Sequence, residues 1–203
     1  MNKVLPMFPQ KLVIRPYGLS LSNEARAALK SQRPRCLWLT GLSGSGKSTL
    51  ANALEVQLNQ LGLHTFLLDG DNVRAGLCSD LGMSAQCRQE NIRRMAEVAR
   101  LMVDAGLIVI VAAISPFRAD RDTARRLFAE GDFIEAYVST SFEVCAQRDT
   151  KGLYRAALQG RIKDFTGVDS PYEAPLAAEC EIDTQNLELD EACARLSAFL
   201  LNK

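Results

Sequence analysis

The residues with the most evident chemistry are Gly41-Leu42-Ser43-Gly44-Ser45-Gly46-Lys47-Ser48, which fit the pattern GxxxxGK[ST]. Glycines at these positions let the backbone curl so that successive N–H groups point at one anion. Helical text begins near Lys47, and a helix N-terminus adds the positive end of its dipole. Lys47 can reach the β- and γ-phosphates as a point charge, and the Ser48 hydroxyl can ligate Mg²⁺. An apolar strand precedes the pattern and a helix follows it. Those two contexts separate a phosphate cradle from a Gly/Ser-rich turn, so the segment is expected to bind a nucleoside triphosphate.

A second group lies in LLDGDNVR. Asp69 and Asp71 fall at the carboxyl end of a strand, the side on which open α/β sheets bind ligands, and Arg74 comes one helical turn beyond Asp71. A carboxylate beside a phosphate loop can hold Mg²⁺ waters or accept a hydroxyl proton, and an arginine there can grip a second anion. Arg88, Arg93 and Arg94 add cations at the start of a helix, and the planar arginine fork suits phosphate or sulfate oxyanions. Arg93 and Arg94 stay open between ligand contact and helix-surface pairing with Glu90 and Glu97. Ser115 directly follows an apolar run and is expected at the same sheet edge. Lys151 to Pro175 is punctuated by Gly and Pro and carries Lys151, Arg155, Arg161 and Lys163. It reads as a mobile lid that closes over the ligands and excludes water.

The elements that must position these groups alternate along the chain. Cys36–Thr40 and His64–Asp69 read as strands around a helix over Lys47–Leu61, with Leu50, Leu54, Leu58 and Leu61 on one face and Gly62 ending it. Ser84–Ala105 has a helical stripe of Ile92, Met95, Ala99 and Met102, closed by Gly106. Leu107–Ile114 is apolar on both faces, as befits a central parallel strand covered by helices. Helices are expected over Arg118–Glu130, from Phe142 to Arg148 and over Leu189–Leu201, with strands at Phe133–Ser139 and Ala178–Asp183. Five strands alternating with helices specify an α/β domain with a mainly parallel sheet. Residues 1–34, with Pro6, Pro9, Pro16 and Pro34 and a short helical stretch at Asn23–Lys30, read as an extension on a domain of residues 35–203.

Composition narrows the function further. The chain has 203 residues, 24 Lys plus Arg against 24 Asp plus Glu, one histidine (His64) and six cysteines. Zero net charge argues against general nucleic-acid binding, which draws on surplus Lys and Arg. A single histidine excludes a multi-His zinc site. No apolar run approaches the roughly 18 to 20 residues needed to span a bilayer, and the N-terminal text is a poor signal peptide. Scattered cysteines without a CxxC pair read as reduced, mostly structural thiols in a cytoplasmic protein. The segment after the second strand, Asp69-Gly70-Asp71-Asn72, has its glycine in the wrong place for the DxxG switch of a GTPase, and no NKxD guanine-reading motif occurs.

Taken in order and spacing, TGLSGSGKS, LLDGDNVR, ENIRR, ISPFRADR, KGLY and DFTGVDSPYEAP resemble the adenylyl-sulfate (APS) kinase family over roughly Leu37–Thr184. The resemblance implies a P-loop nucleoside-triphosphate hydrolase fold. It also implies transfer of the ATP γ-phosphoryl group to the 3′-hydroxyl of adenosine 5′-phosphosulfate, giving PAPS and ADP. By that resemblance ATP and Mg²⁺ lie on residues 41–49, Gly41 to Thr49, with Arg148 near the base and Ser48 and Asp69 at the metal. Asp71, Arg74, Arg88, Asn91, Ile114, Ser115 and Phe165 would hold the acceptor, with Phe165 stacking on its adenine. Asp69 is the candidate to orient or deprotonate the 3′-hydroxyl, with Asp71 as alternative; Lys47 is the cation on the β- and γ-phosphates, and Lys151 the cation on the transferring phosphoryl group or the acceptor. Ser115 has been regarded in this family as a phosphoserine intermediate. Direct in-line transfer is the simpler route if ATP and acceptor face each other. The family pattern has Phe where this chain has Met83, which offers a softer face to the acceptor adenine. The resemblance further implies a homodimer and a functional link to ATP sulfurylase, while 203 residues leave no room for a second enzyme.

Two other readings compete with this one. Another small-molecule P-loop kinase would keep the loop and lid without needing DGDNVR, ENIRR and ISPFR. A nucleotide-binding regulatory module would not need Lys47, Ser48, Asp69 and Lys151 together.

Overall fold

Cys36-Leu37-Trp38-Leu39 is apolar on both faces of an extended chain, and such a run is stable only with both faces covered. It lies in β1 (Arg35–Thr40), the middle strand of the sheet, where all six residues are buried. The computed structural model describes residue 15 and residues 17–201. Pro6, Pro9 and Pro16 of the N-terminal extension lie outside the described residues.

Four further strands, β2 (Thr65–Asp69), β3 (Ile108–Ala112), β4 (Phe133–Val138) and β5 (Cys180–Ile182), give the order β2-β3-β1-β4-β5. Every pairing is parallel. Alternation along β1 sends Leu37 and Leu39 to one face and Cys36 and Trp38 to the other. The first face packs on α2 (Lys47–Gln60) and α8 (Leu189–Leu201), the second on α4 (Ala85–Asp104) and α5 (Arg118–Arg125). Leu50, Leu54 and Leu58, four apart on α2, are fully buried, as the 3.6-residue period demands. Leu61 falls beyond α2 and is exposed.

The register aligns the strand ends that matter. Asp69 is level with Ala112, and Thr40, one residue before Gly41, is level with Tyr137. The chain leaves β1 toward β2 on one side, while β4 lies on the other. The phosphate loop therefore opens at the point where strand order reverses, where open α/β sheets bind ligands.

At the opposite edge α1 (Asn23–Ala28), capped by Ser22, crosses the start of β3. Gly106 has φ +91°, and a Cβ there would come within 3.0 Å of Arg26 O. Gln32 donates to His64 O and Gly106 O and accepts from His64 N–H, and Asn23 donates to Asp104, so the segment from Asn23 to Gln32 is tied to this edge.

Three elements differ from expectation. α5 ends at Arg125 rather than Glu130, and Leu127 and Phe128 reach the core from the turns that follow. α3 (Gly70–Ala75) and α7 (Leu153–Leu158) are short helices in text rich in Gly, Asp and Asn or taken as lid. All six cysteines are free thiols, five of them buried. Among the described residues no helix is long and apolar enough to cross a membrane.

Candidate active site

The loop between β1 and α2 is shaped by residues that tolerate no side chain. A Cβ on Gly41 would stand 2.5 Å from Val138 O, and Gly46, the left-handed N-cap of α2 (φ +98°), packs against Thr184. Lys47 folds back across the loop, donating to Gly41 O (2.9 Å), Leu42 O (2.6 Å) and Ser45 Oγ (3.3 Å). It is 8% exposed. Burial brings its pKa down to about 8, against the opposing pull of nearby anionic groups such as Asp69. Behind the loop, Arg148 donates to Thr184 Oγ1 (2.8 Å) and Gly44 O (3.3 Å), and Thr184 Oγ1 donates to Ser45 O (2.8 Å).

At the mouth of the loop the Ser48 hydroxyl donates to Asp69 Oδ2 at 2.6 Å. Asp69 Oδ1 accepts from Asp71 N–H at 3.0 Å and so caps α3. Asp71 in turn is ion-paired with Lys151 from the lid. Ser48 and Asp69 offer adjacent oxygen donors that fit Mg²⁺, which takes few protein ligands and leaves other positions to phosphate and water. No group of three or more His, Cys, Asp or Glu able to hold a metal alone occurs among the described residues.

The far end is built by α3, α4 and the segment around Asp164 to Thr166. Arg88, 8% exposed, donates through Nε to Met83 O (2.9 Å), through Nη1 to Thr166 Oγ1 (2.7 Å) and through Nη2 to Asp164 O. Burial first, then neighbouring Arg74, pull its pKa below the usual arginine value. Asn91 donates weakly to Met95 Sδ (3.4 Å) and leaves its buried Oδ1 without a hydrogen-bond partner. Arg74 is held by Gly82 O at 3.0 Å. These residues share one cavity of about 1170 Å³ with the loop, Asp69, Asp71, Ile114, Arg148, Lys151 and Phe165. That volume is ample for two nucleotides, since a drug-sized ligand fills roughly 300–1,000 Å³.

Residues 151–175, the segment expected as a lid, contribute Lys151, Leu153, Ile162, Lys163 and Phe165 to the wall of this cavity. The Asp149 carboxylate accepts from the first-turn amides of α7, Tyr154 N–H (2.9 Å) and Arg155 N–H (3.1 Å). Tyr154 meets Phe165 edge-on with ring centroids 5.0 Å apart, meets Phe142 at 5.5 Å, and donates its hydroxyl to Ser43 O at 2.9 Å.

The family described as adenylylsulphate kinase matches residues 33–183. The chain belongs to the adenylylsulphate kinase family. An adenylyl-sulfate kinase of Shewanella amazonensis is 57% identical over 183 residues, covering 90% of this chain and 92% of that one. The solved APS kinase of Mycobacterium tuberculosis, in complex with AMPPNP and APS, is 42% identical with TM-score 0.80, over 83% of this chain and 98% of that chain. A hexameric APS kinase from Thiobacillus denitrificans is 33% identical with TM-score 0.63, over 84% of this chain and 29% of that one.

Of the residues that the adenylylsulphate kinase resemblance singled out, the cavity is lined by Ser43, Gly44, Gly46 to Thr49, Asp69, Asp71, Arg74, Arg88, Asn91, Ile114, Arg148, Lys151 and Phe165. Gly41, Leu42 and Ser45 shape the loop from behind. Ser115 stands at the expected sheet edge, but its hydroxyl turns away from the cavity. It is 1% exposed, and its Oγ accepts from Trp38 Nε1 at 3.0 Å within the core. Trp38 projects from β1 toward the α4/α5 face and captures the hydroxyl, so Ile114 and Pro116 line the cavity instead. Arg93 pairs with Glu90, and Arg94 pairs with Glu90 and Asp80, both away from the cavity. Sequence reasoning missed the wall made by Thr184, Gln185, Leu187 and Glu188, which carries no motif beyond its place after β5. It also missed Tyr154, whose signal was its place in KGLY.

Proposed function

We propose that this chain is an ATP-dependent adenylyl-sulfate kinase, transferring the ATP γ-phosphoryl group to the 3′-hydroxyl of adenosine 5′-phosphosulfate to give PAPS and ADP in sulfate assimilation. One observation carries the reading beyond family membership. A single cavity joins the phosphate loop and Asp69 at one end to Arg74, Arg88 and Asn91 at the other. Two anionic nucleotides can lie there face to face.

The loop amides and the α2 N-terminus hold the ATP phosphates, and Lys47 leaves the carbonyls of Gly41 and Leu42 for the β- and γ-oxygens. Arg148 and Thr184 flank the base. Ser48 and Asp69 would hold Mg²⁺, which supplies charge neutralisation on the phosphates. Arg74 and Arg88 take the phosphosulfate oxyanions, and the unpartnered Asn91 Oδ1 is free to accept from the acceptor. Phe165 and Met83 border its adenine. Asp69 or Asp71 orients the 3′-hydroxyl and accepts its proton, a contribution on the order of 10²–10⁴-fold. Lys151 leaves Asp71 for the transferring group as ATP binds, and the seated lid keeps water from competing.

Transfer is direct. The Ser115 hydroxyl faces the core and is bonded to Trp38, and among the described residues no carboxylate or histidine is hydrogen-bonded to it. Operation as a homodimer, in the cytoplasm and in series with an ATP sulfurylase, completes the reading.

The test is incubation with γ-labelled ATP, Mg²⁺ and adenosine 5′-phosphosulfate. Label is expected in PAPS, with negligible ADP release when shikimate, a sugar acid or a nucleoside replaces the acceptor. Binding of ATP without label in PAPS, or equal turnover on another acceptor, would overturn it.

A further inference from the structure

Two runs of the sequence have no part in the transfer as described. Arg118-Ala119-Asp120-Arg121 follows the turn at Ser115, and Tyr172-Glu173-Ala174 closes the lid. In the fold they are stitched together. Glu173 N–H donates to Pro116 O (2.8 Å), and the Glu173 carboxylate accepts from Arg118 N–H (2.9 Å). Arg118 Nε donates to Ala174 O at 2.8 Å. The Tyr172 hydroxyl shares a hydrogen bond with Thr40 at 3.0 Å, and its ring stacks on Tyr137.

Arg121 is the hub of this stitching and is only 2% exposed. Its guanidinium donates through Nε to Glu135 Oε1 (2.6 Å), through Nη1 to Ser115 O (2.7 Å) and through Nη2 to Glu173 O (2.7 Å). A buried cation is costly unless it is paired and its donors are used. Glu135 on β4 supplies the pairing. The other two partners are backbone carbonyls of the acceptor-side turn and of the lid's end, and neither belongs to the phosphate loop.

The turn needs such support. Ser115 holds φ +39°, a left-handed conformation that a non-glycine residue keeps only where its surroundings over-determine it. Trp38 fixes its hydroxyl, Thr40 Oγ1 fixes Ile114 O at 2.8 Å, and Arg121 fixes its carbonyl. This geometry turns the Ser115 hydroxyl into the core and leaves Ile114 and Pro116 as cavity wall.

We infer that Arg121 is a positioning residue for the acceptor: it locks the Ile114–Pro116 wall to the seated end of the lid and so sets acceptor affinity without touching either nucleotide. The inference rests on the reading that this end of the cavity takes adenosine 5′-phosphosulfate.

Two variants test it. Arg121→Lys keeps a charge opposite Glu135 but cannot serve three acceptors in one plane. Arg121→Met with Glu135→Gln removes both charges, so neither is left buried and unpaired. In each, KM for adenosine 5′-phosphosulfate is expected to rise about tenfold, the size of one lost hydrogen bond to a charged group, while KM for ATP changes less than about twofold. Trp38 is the sole tryptophan and is bonded to Ser115, so its fluorescence reads the turn without substrate. A shifted emission is expected in both folded variants. Unchanged emission, an unchanged acceptor KM, or equal rises in both KM values would overturn the inference. Failure of the unaltered chain to phosphorylate adenosine 5′-phosphosulfate would instead sink the functional reading, and the Trp38 spectrum would still report whether Arg121 holds the turn.

Discussion

Lys47 shows how one residue can be poised before its ligand arrives. In the free protein its ammonium sits on loop carbonyls, and burial lowers its pKa to about 8 from 10.5. Between those values the unfolded chain holds a proton that the folded chain does not, so this group makes stability rise with pH through that window. At neutral pH its charge is therefore a cost that ATP binding relieves. As pH rises through about 8 the free enzyme loses the charge that ATP needs, and kcat/KM for ATP should fall with one deprotonation near that value. A flat profile between pH 7 and 10 would rule out this role. Lys47→Met should lose on the order of 10²–10³-fold or more in kcat, with no drop in thermal midpoint. Ser115 is the contrasting case. Ser115→Ala leaves the Trp38 indole N–H unpaired in the core and should cost about 1–3 kcal/mol of stability, while turnover stays within a few-fold. A folded variant that binds acceptor but does not turn over would restore the covalent relay.

At the scale of elements, the strands and long helices follow from periodicity, because burial on both faces of β1 and β3 and on one face of α2 and α4 leaves a pattern in the text. The short helices do not. α3 rests on Asp69 capping Asp71 N–H, in a segment whose Gly, Asp and Asn also describe a turn. α7 rests on the Asp149 carboxylate at its first-turn amides and on Tyr154 packing against Phe142 and Phe165, contacts between residues up to 12 positions apart in number. Ser115 shows the same limit: spacing gives its place at the strand exit, but only the neighbouring Trp38 decides which way the hydroxyl turns. The Tyr154 hydroxyl bond to Ser43 O makes α7 the link between lid and phosphate loop. Tyr154→Phe should cost about 1 kcal/mol and raise acceptor-independent ADP release relative to transfer, because a looser lid admits water. Unchanged coupling of ADP release to PAPS formation would show that the link does not hold the lid.

For the whole molecule, zero net charge conceals a segregation. Many surface arginines are spent on local pairs, such as Arg94 with Asp80 and Arg125 with Glu179, while Arg74, Arg88, Lys47 and Lys151 gather around one cavity. Motif text revealed that gathering; sheet order and the wall after β5 came only from tertiary packing. The cavity wall draws on residues from Ser43 to Ala192, so a bound nucleotide braces segments that are far apart in the chain. A ligand that binds the folded chain alone stabilises it by about 2.7 kcal/mol at 100 times its Kd, and in a domain of this size each kcal/mol is worth roughly 2–4 °C. ATP with Mg²⁺ at that excess should therefore raise the thermal midpoint by about 5–10 °C. The two ends of the cavity then separate cleanly. Lys47→Met should lose most of the shift given by ATP and keep the shift given by adenosine 5′-phosphosulfate, whereas Arg88→Met should do the reverse. Loss of both shifts in both variants would mean that the two groups of residues do not form two subsites.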